Sequence, residues 1–139
     1  MSGHFNLGRF VSAQDSAYSR VVAELRAGRK HTHWMWFVFP QVSGLGYSAT
    51  AREFAIASLA EAKAYLARPL LGTRLRECTQ LVLAVEGQSA LAIFGTPDDL
   101  KFRSSMTLFA HAAPHETLFR DALVKYFDGE DDPATLERL

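Results

Sequence analysis

Apolar residues recur three and four positions apart along almost the whole chain, and nowhere do they alternate cleanly with polar ones over a strand's length. This excludes most sheet architectures, because a half-buried strand has to alternate. Tyr18, Val21, Val22 and Leu25 share one helical face, with Asp15 expected to cap that helix and Gly28 to end it. Leu71, Leu75, Cys78, Val82 and Val85 form a stripe on a helix starting near Leu70 and stopped by Gly87. Leu118, Phe119, Leu123 and Phe127 mark another, opened by Pro114 and His115 and closed by Gly129. Shorter pieces are flagged by their start signals. These are a turn around Leu7 to Ala13, a start at Ser48, a capping box of Ser58 and Glu61 leading to Ala67, a segment from Ser89 to Phe94, and Asp132-Pro133 before a last short helix. Thr96-Pro97-Asp98-Asp99 combines a hydroxyl cap, a proline at the first helical position and two carboxylates on the positive end of the dipole, predicting a helix to about Ala112. The expected fold is all-α: a single compact multihelical domain over residues 1–139, with about seven helices, short ones included.

One stretch has strand-like content. Residues 31–41 read H-T-H-W-M-W-F-V-F-P-Q. As a strand it would be apolar on both faces and therefore buried, yet no partner strand is visible to satisfy its amides. A short, tight helical turn ending before Pro40 is expected instead. Trp34 and Trp36, flanked by His33 and Gln41, allow two readings: large core fillers, or rings that stack a planar ligand while the polar neighbours bind its edge.

Charge and cysteine content narrow the function classes. Fifteen Lys and Arg balance fifteen Asp and Glu, so no global field draws the chain to nucleic acid or to an anionic membrane. No segment approaches the ~20 apolar residues of a membrane helix. The N-terminus lacks a basic-then-apolar signal, and a soluble cytoplasmic protein is expected. The single cysteine, Cys78, sits in an apolar pattern and reads as a small buried hydrophobe. His31 and His33, and His111 and His115, have ligand-like spacing, but Pro114 interrupts the second pair and no cysteine or acidic cluster completes a set, so no metal is expected. Gly44-Leu45-Gly46 reads as a turn, and no G-x-S-x-G is present.

The densest polar cluster lies in I-F-G-T-P-D-D-L-K-F-R-S-S-M-T-L-F, from Ile93 to Phe109. Asp98, Lys101 and Ser105 share one helical face, which suits a solvated surface or a pocket wall. This string, with F-N-L-G-R-F-V-S-A-Q at Phe5 to Gln14, the run from Leu25 to Gln41, G-L-G-Y-S at Gly44 to Ser48 and the run from Ala64 to Cys78, resembles the bacterial domain-of-unknown-function 1810 family. Its members are often labelled calpastatin. The resemblance covers nearly the whole chain and implies a multihelical fold. It names candidates without roles. A more distant similarity is to helical domains acting in NAD and ADP-ribose metabolism.

Side-chain chemistry supplies the expected roles. Trp34 or Trp36 would stack a ring, Arg9 or Arg29 would pair with a phosphate, and Gln41, Lys101, Ser104 and Ser105 would line the same pocket. His33, Asp98 and Asp99 are the catalytic candidates, as proton mover and acceptors. The expected function is thus a pocket for an anionic, nucleotide-like or ADP-ribose-like small molecule, with catalysis open and no cofactor identified. The alternative is a protein-interaction module anchored by the aromatic stretch.

Overall fold

Ten helices form in the computed structural model, which describes residues 5–139. They are α1 (Gly8–Asp15), α2 (Tyr18–Arg26), α3 (Met35–Val38), α4 (Ala49–Glu53), α5 (Leu59–Ala67), α6 (Pro69–Ala84), α7 (Ala90–Phe94), α8 (Asp98–Ala112), α9 (Leu118–Phe127) and α10 (Pro133–Leu136). The expectation of about seven is corrected upward because four of these, α3, α4, α7 and α10, have only four or five residues and stand as separate elements. No strand occurs among the described residues; the only pairing of that type is an isolated parallel bridge between Val42 and Ile56.

Several starts follow the local code. Ser48, Ser58 and Ser89 each accept a hydrogen bond from the amide three residues on, at 3.0, 3.2 and 3.0 Å. The reciprocal half of the expected Ser58–Glu61 box is shifted by one residue: Glu61 accepts from the Ala57 amide at 2.7 Å, just before the cap. Two expected caps are corrected. Asp15 does not cap α2: α1 continues through it, and its carboxylate pairs with Arg74 at 2.9 Å. Thr96 does not cap α8: Pro97 holds the cap position without a side-chain bond, and the helix begins at Asp98. The third helix start also moves, from Pro114 to Leu118.

Helix α8 runs through the middle of the molecule. Nine of its fifteen residues are buried, and it packs against α5, α7, α9 and α10. Its hydroxyl-rich face was open to a solvated reading, yet Ser104, Ser105 and Thr107 are all buried. The reason is distant in sequence. The chain after α9 folds back over that face, where Arg103 donates to the Glu130 and Asp131 carbonyls at 3.1 and 2.8 Å and the Asp132 amide donates to Thr107 Oγ1 at 2.9 Å.

The aromatic stretch forms α3 and an extended exit. Phe39 leaves α3 into an aromatic cluster with Phe94 and Phe102, centroids 6.0 and 5.0 Å away. The following segment is then pinned to the end of α4. The Ile56 amide donates to the Gln41 carbonyl, and the Ser43 amide to the Ile56 carbonyl, both at 2.8 Å. These two bonds fix both ends of the excursion from Ser43 to Ala55, so that it stands beside α8. Gly44, at φ +94°, lies under Arg138, whose Nη1 sits 2.6 Å from where a Cβ would be. A side chain there would meet both the backbone strain and the guanidinium.

Candidate functional site

The excursion, α3, α8 and α10 enclose a cleft of about 490 Å³. Its walls include Trp36 and Gln41 from the aromatic stretch, Tyr47 and Ser48 from the excursion, Lys101 and Ser104 from α8, and Asp132 from the start of α10. An adjoining hollow of about 100 Å³ shares Trp36 and Gln41 and adds Arg52. The larger volume is within the general range for small-molecule sites.

The two tryptophans part company across α3. Trp34 is fully buried and donates its indole N–H to Glu24 Oε1 at 2.9 Å. Trp36 is only partly buried, and among the described residues nothing accepts from its indole N–H. The Lys101 ammonium lies over its ring, 4.9 Å from the centroid. The stretch is therefore core on one side and cleft wall on the other. Gln41 likewise keeps a side-chain amide that no described residue engages.

Lys101 shares its carboxylate partner with a second lysine. Asp98 Oδ1 is 3.6 Å from Lys101, but Asp98 Oδ2 is only 2.8 Å from Lys30, whose side chain is 6% exposed and also lies 5.2 Å from the Trp34 ring. One carboxylate thus sits between two ammonium groups, with the shorter contact to the buried one. Lys101 keeps positive charge to offer into the cleft.

One turn further along α8, Ser104 Oγ lies 2.8 Å from Asp132 Oδ2 and 3.1 Å from the Leu100 carbonyl. A hydroxyl has one proton to give, and the charged acceptor takes it. Thr135 donates to the same Oδ2 at 2.6 Å.

Of the residues expected at a site, Trp36, Gln41, Lys101 and Ser104 meet in the cleft. The others lie elsewhere. Arg9 spends all its N–H groups on the Glu53, Phe5, Asn6 and Ala55 carbonyls and on Glu61, so it clamps α1 to the α4–α5 connection and has no donor left for a phosphate. Arg29 and His33 are exposed on the loop before α3. Asp98 is engaged as described. Asp99 Oδ1 and Ser105 Oγ are buried without a hydrogen-bond partner, and neither residue lines the cleft. Among the described residues no three His, Cys, Asp or Glu side chains cluster as a metal site.

Sequence reasoning did not single out Tyr47, 84% exposed at the rim, or Asp132. An aromatic isolated in a glycine-rich turn was the available signal for Tyr47. Asp132 carried none, since Asp-Pro reads as an ordinary helix start.

A family model described as a protein of unknown function (DUF1810) matches residues 4–139. The crystal structure of the conserved hypothetical protein Rv1873 from Mycobacterium tuberculosis is similar, at 56% sequence identity over 97% of this chain and 96% of that chain, with a TM-score of 0.96. No curated protein matches.

Proposed function

The chain belongs to the DUF1810 family, and from that starting point we propose that its cleft binds a small molecule joining a planar ring to an anionic group, of the nucleotide class. The observation that carries this reading is Trp36. Among the described residues nothing accepts from its indole N–H, its ring lies under the Lys101 ammonium, and it lines both hollows. An anion paired with Lys101 comes to lie beside an aromatic surface, with Gln41 at hand for a ring edge. Arg52 in the adjoining hollow supplies a second cation for a longer, more highly charged ligand such as an ADP-ribose compound. The proposal is one of binding. His33, Asp98 and Asp99, the groups expected to catalyse, are absent from the cleft lining.

Thermal denaturation against a panel of nucleotides and nucleotide sugars tests it. At 100 times its dissociation constant a binder adds about 2.7 kcal/mol to the wild-type protein. The same compound should lose at least about tenfold in affinity for Trp36→Ala and for Lys101→Met. A panel in which nothing stabilises the wild-type protein, or a hit that both variants bind unchanged, overturns the reading.

The second reading, a protein-interaction module, draws on Tyr47 and Leu100, 84% and 55% exposed on the cleft rim. It predicts a partner whose binding is lost in Tyr47→Ala and is indifferent to Lys101→Met.

A further inference from the structure

We propose that Asp132 and Ser104 form a subsite that recognises hydroxyl groups of the ligand, beside the anion-binding end marked by Lys101. The inference rests on the binding proposal above and specifies what the part of the cleft next to Lys101 reads.

Asp132 occupies the cap position of α10 without accepting from a backbone amide of that helix. Its carboxylate instead ties the Thr135 hydroxyl of α10 to Ser104 of α8, and uses one oxygen to do so. Both Ser104 and Thr135 donate to one oxygen, Oδ2. Among the described residues Oδ1 accepts nothing, and Asp132 lines the cleft. The carboxylate is thereby held in one orientation with an oxygen to spare, which lowers the ordering cost of a ligand contact.

Charge narrows which ligand group that oxygen can take. The carboxylate repels an anionic group, and a ligand that brings its anion to Lys101 can still offer this oxygen a neutral donor. Ser104, having given its proton to Asp132, is left as an acceptor at the same wall, and it too lines the cleft. Two acceptors side by side suit two neighbouring alcohols. The shared chemistry is a vicinal diol carried on an anion, which a nucleotide's ribose or a free sugar phosphate would supply.

Isothermal titration of the wild-type protein with the four ribonucleoside 5′-monophosphates, their 2′,3′-dideoxy counterparts and ribose 5-phosphate tests this. The expected result is binding of at least one ribonucleotide about tenfold or more tighter than its dideoxy form, the scale of a hydrogen bond to a charged group. Asp132→Asn should reduce that preference to under about threefold, whatever the loss of its charge does to the affinity for both forms. Ribose 5-phosphate binding as tightly as the nucleotides supports the diol subsite and assigns it to sugar phosphates. Equal affinity of the wild-type protein for ribo and dideoxy forms overturns the inference and leaves the ring-and-anion reading standing. Binding of none of these compounds overturns the inference, and the ring-and-anion reading falls with it only if the nucleotide and nucleotide-sugar panel also fails to stabilise the protein. The wild-type comparison decides the matter even if the variant fails to fold.

Discussion

Glu24 is the residue on which the geometry of the aromatic stretch turns. Its buried carboxylate accepts from the His31 and Thr32 amides at 2.8 and 3.0 Å, from Thr32 Oγ1 at 2.6 Å and from the Trp34 indole at 2.9 Å. Burial pushes its pKa up, but the four hydrogen bonds outweigh that and hold it at about 2. This knot seats the loop between α2 and α3 and directs Trp34 inward, so that Trp36 emerges at the cleft. Glu24→Gln removes the charge that strengthens all four bonds and puts an amide NH2 where the oxygen facing the Thr32 hydroxyl stood. It should cost about 2–4 kcal/mol in chemical denaturation. A loss below about 0.5 kcal/mol, within the range of ordinary surface changes, would remove Glu24 from this role. In the sequence Glu24 is one more polar residue on an amphipathic helix, because all four of its bonds come from backbone or side chains seven to ten residues on.

At the scale of elements, close approach between helices matters more than intrinsic helix preference. Helix α5 turns directly into α6 at Arg68-Pro69, and Gly72 lies against the last turn of α5. A Cβ at Gly72 would collide with the Leu66 carbonyl oxygen and come within 2.7 Å of Arg76 Nη1. Alanine normally improves a helix interior by about 1 kcal/mol over glycine. Gly72→Ala should nevertheless destabilise by about 1–3 kcal/mol, the cost of overpacking a rigid contact. Thermal denaturation with an unchanged or raised midpoint would contradict the tight seam. A similar distinction explains α8. Its serines and threonine looked like a face for water or for ligand, and most of that face was taken by the folded-back C-terminal segment. Only Lys101 and Ser104, with Pro97 and Leu100, remain along the cleft.

For the whole molecule, the carboxylates set the acid limit. Glu24 has a folded pKa of about 2 against an ordinary 4.5. Burial raises the Asp131 pKa, but Arg120 at 2.7 Å and His111 at 3.3 Å bring it below the usual aspartate value. For a group whose pKa is depressed on folding, the stabilisation is present above the unfolded value and lost as pH falls through the folded one. For Glu24 the loss runs from about pH 4.5 to about pH 2 and amounts to ~3 kcal/mol. Stability measured by denaturant titration should fall across that interval, and Glu24→Gln should flatten much of the slope. A wild-type curve level down to pH 2.5 would show that the carboxylate is not held as described. No helix among the described residues is long and apolar enough to cross a membrane, so the core assembles from amphipathic pieces around α8.

Local chemistry was enough to mark most of the helices, though not the starts expected at Asp15, Thr96 and Pro114. The serine caps at Ser48, Ser58 and Ser89, the apolar stripe from Leu71 to Val82 and the short helix inside the aromatic stretch each depend on residues within one or two turns of each other. The site was legible in part. Trp36, Gln41, Lys101 and Ser104 could be named from residue type and from motif strings, but nothing local separated Trp36 from Trp34 or Lys101 from Lys30. Those distinctions come from partners far along the chain. Glu24 captures one indole, Asp98 binds the buried lysine, and the last ten residues bring Asp132 to a helix that begins more than thirty residues earlier. A hydrogen bond or ion pair forms wherever folding brings two groups together, and its sequence separation leaves no periodic trace. Helix boundaries are thus written in short-range pattern, while the assignment of each polar side chain to core, clamp or cleft belongs to packing alone.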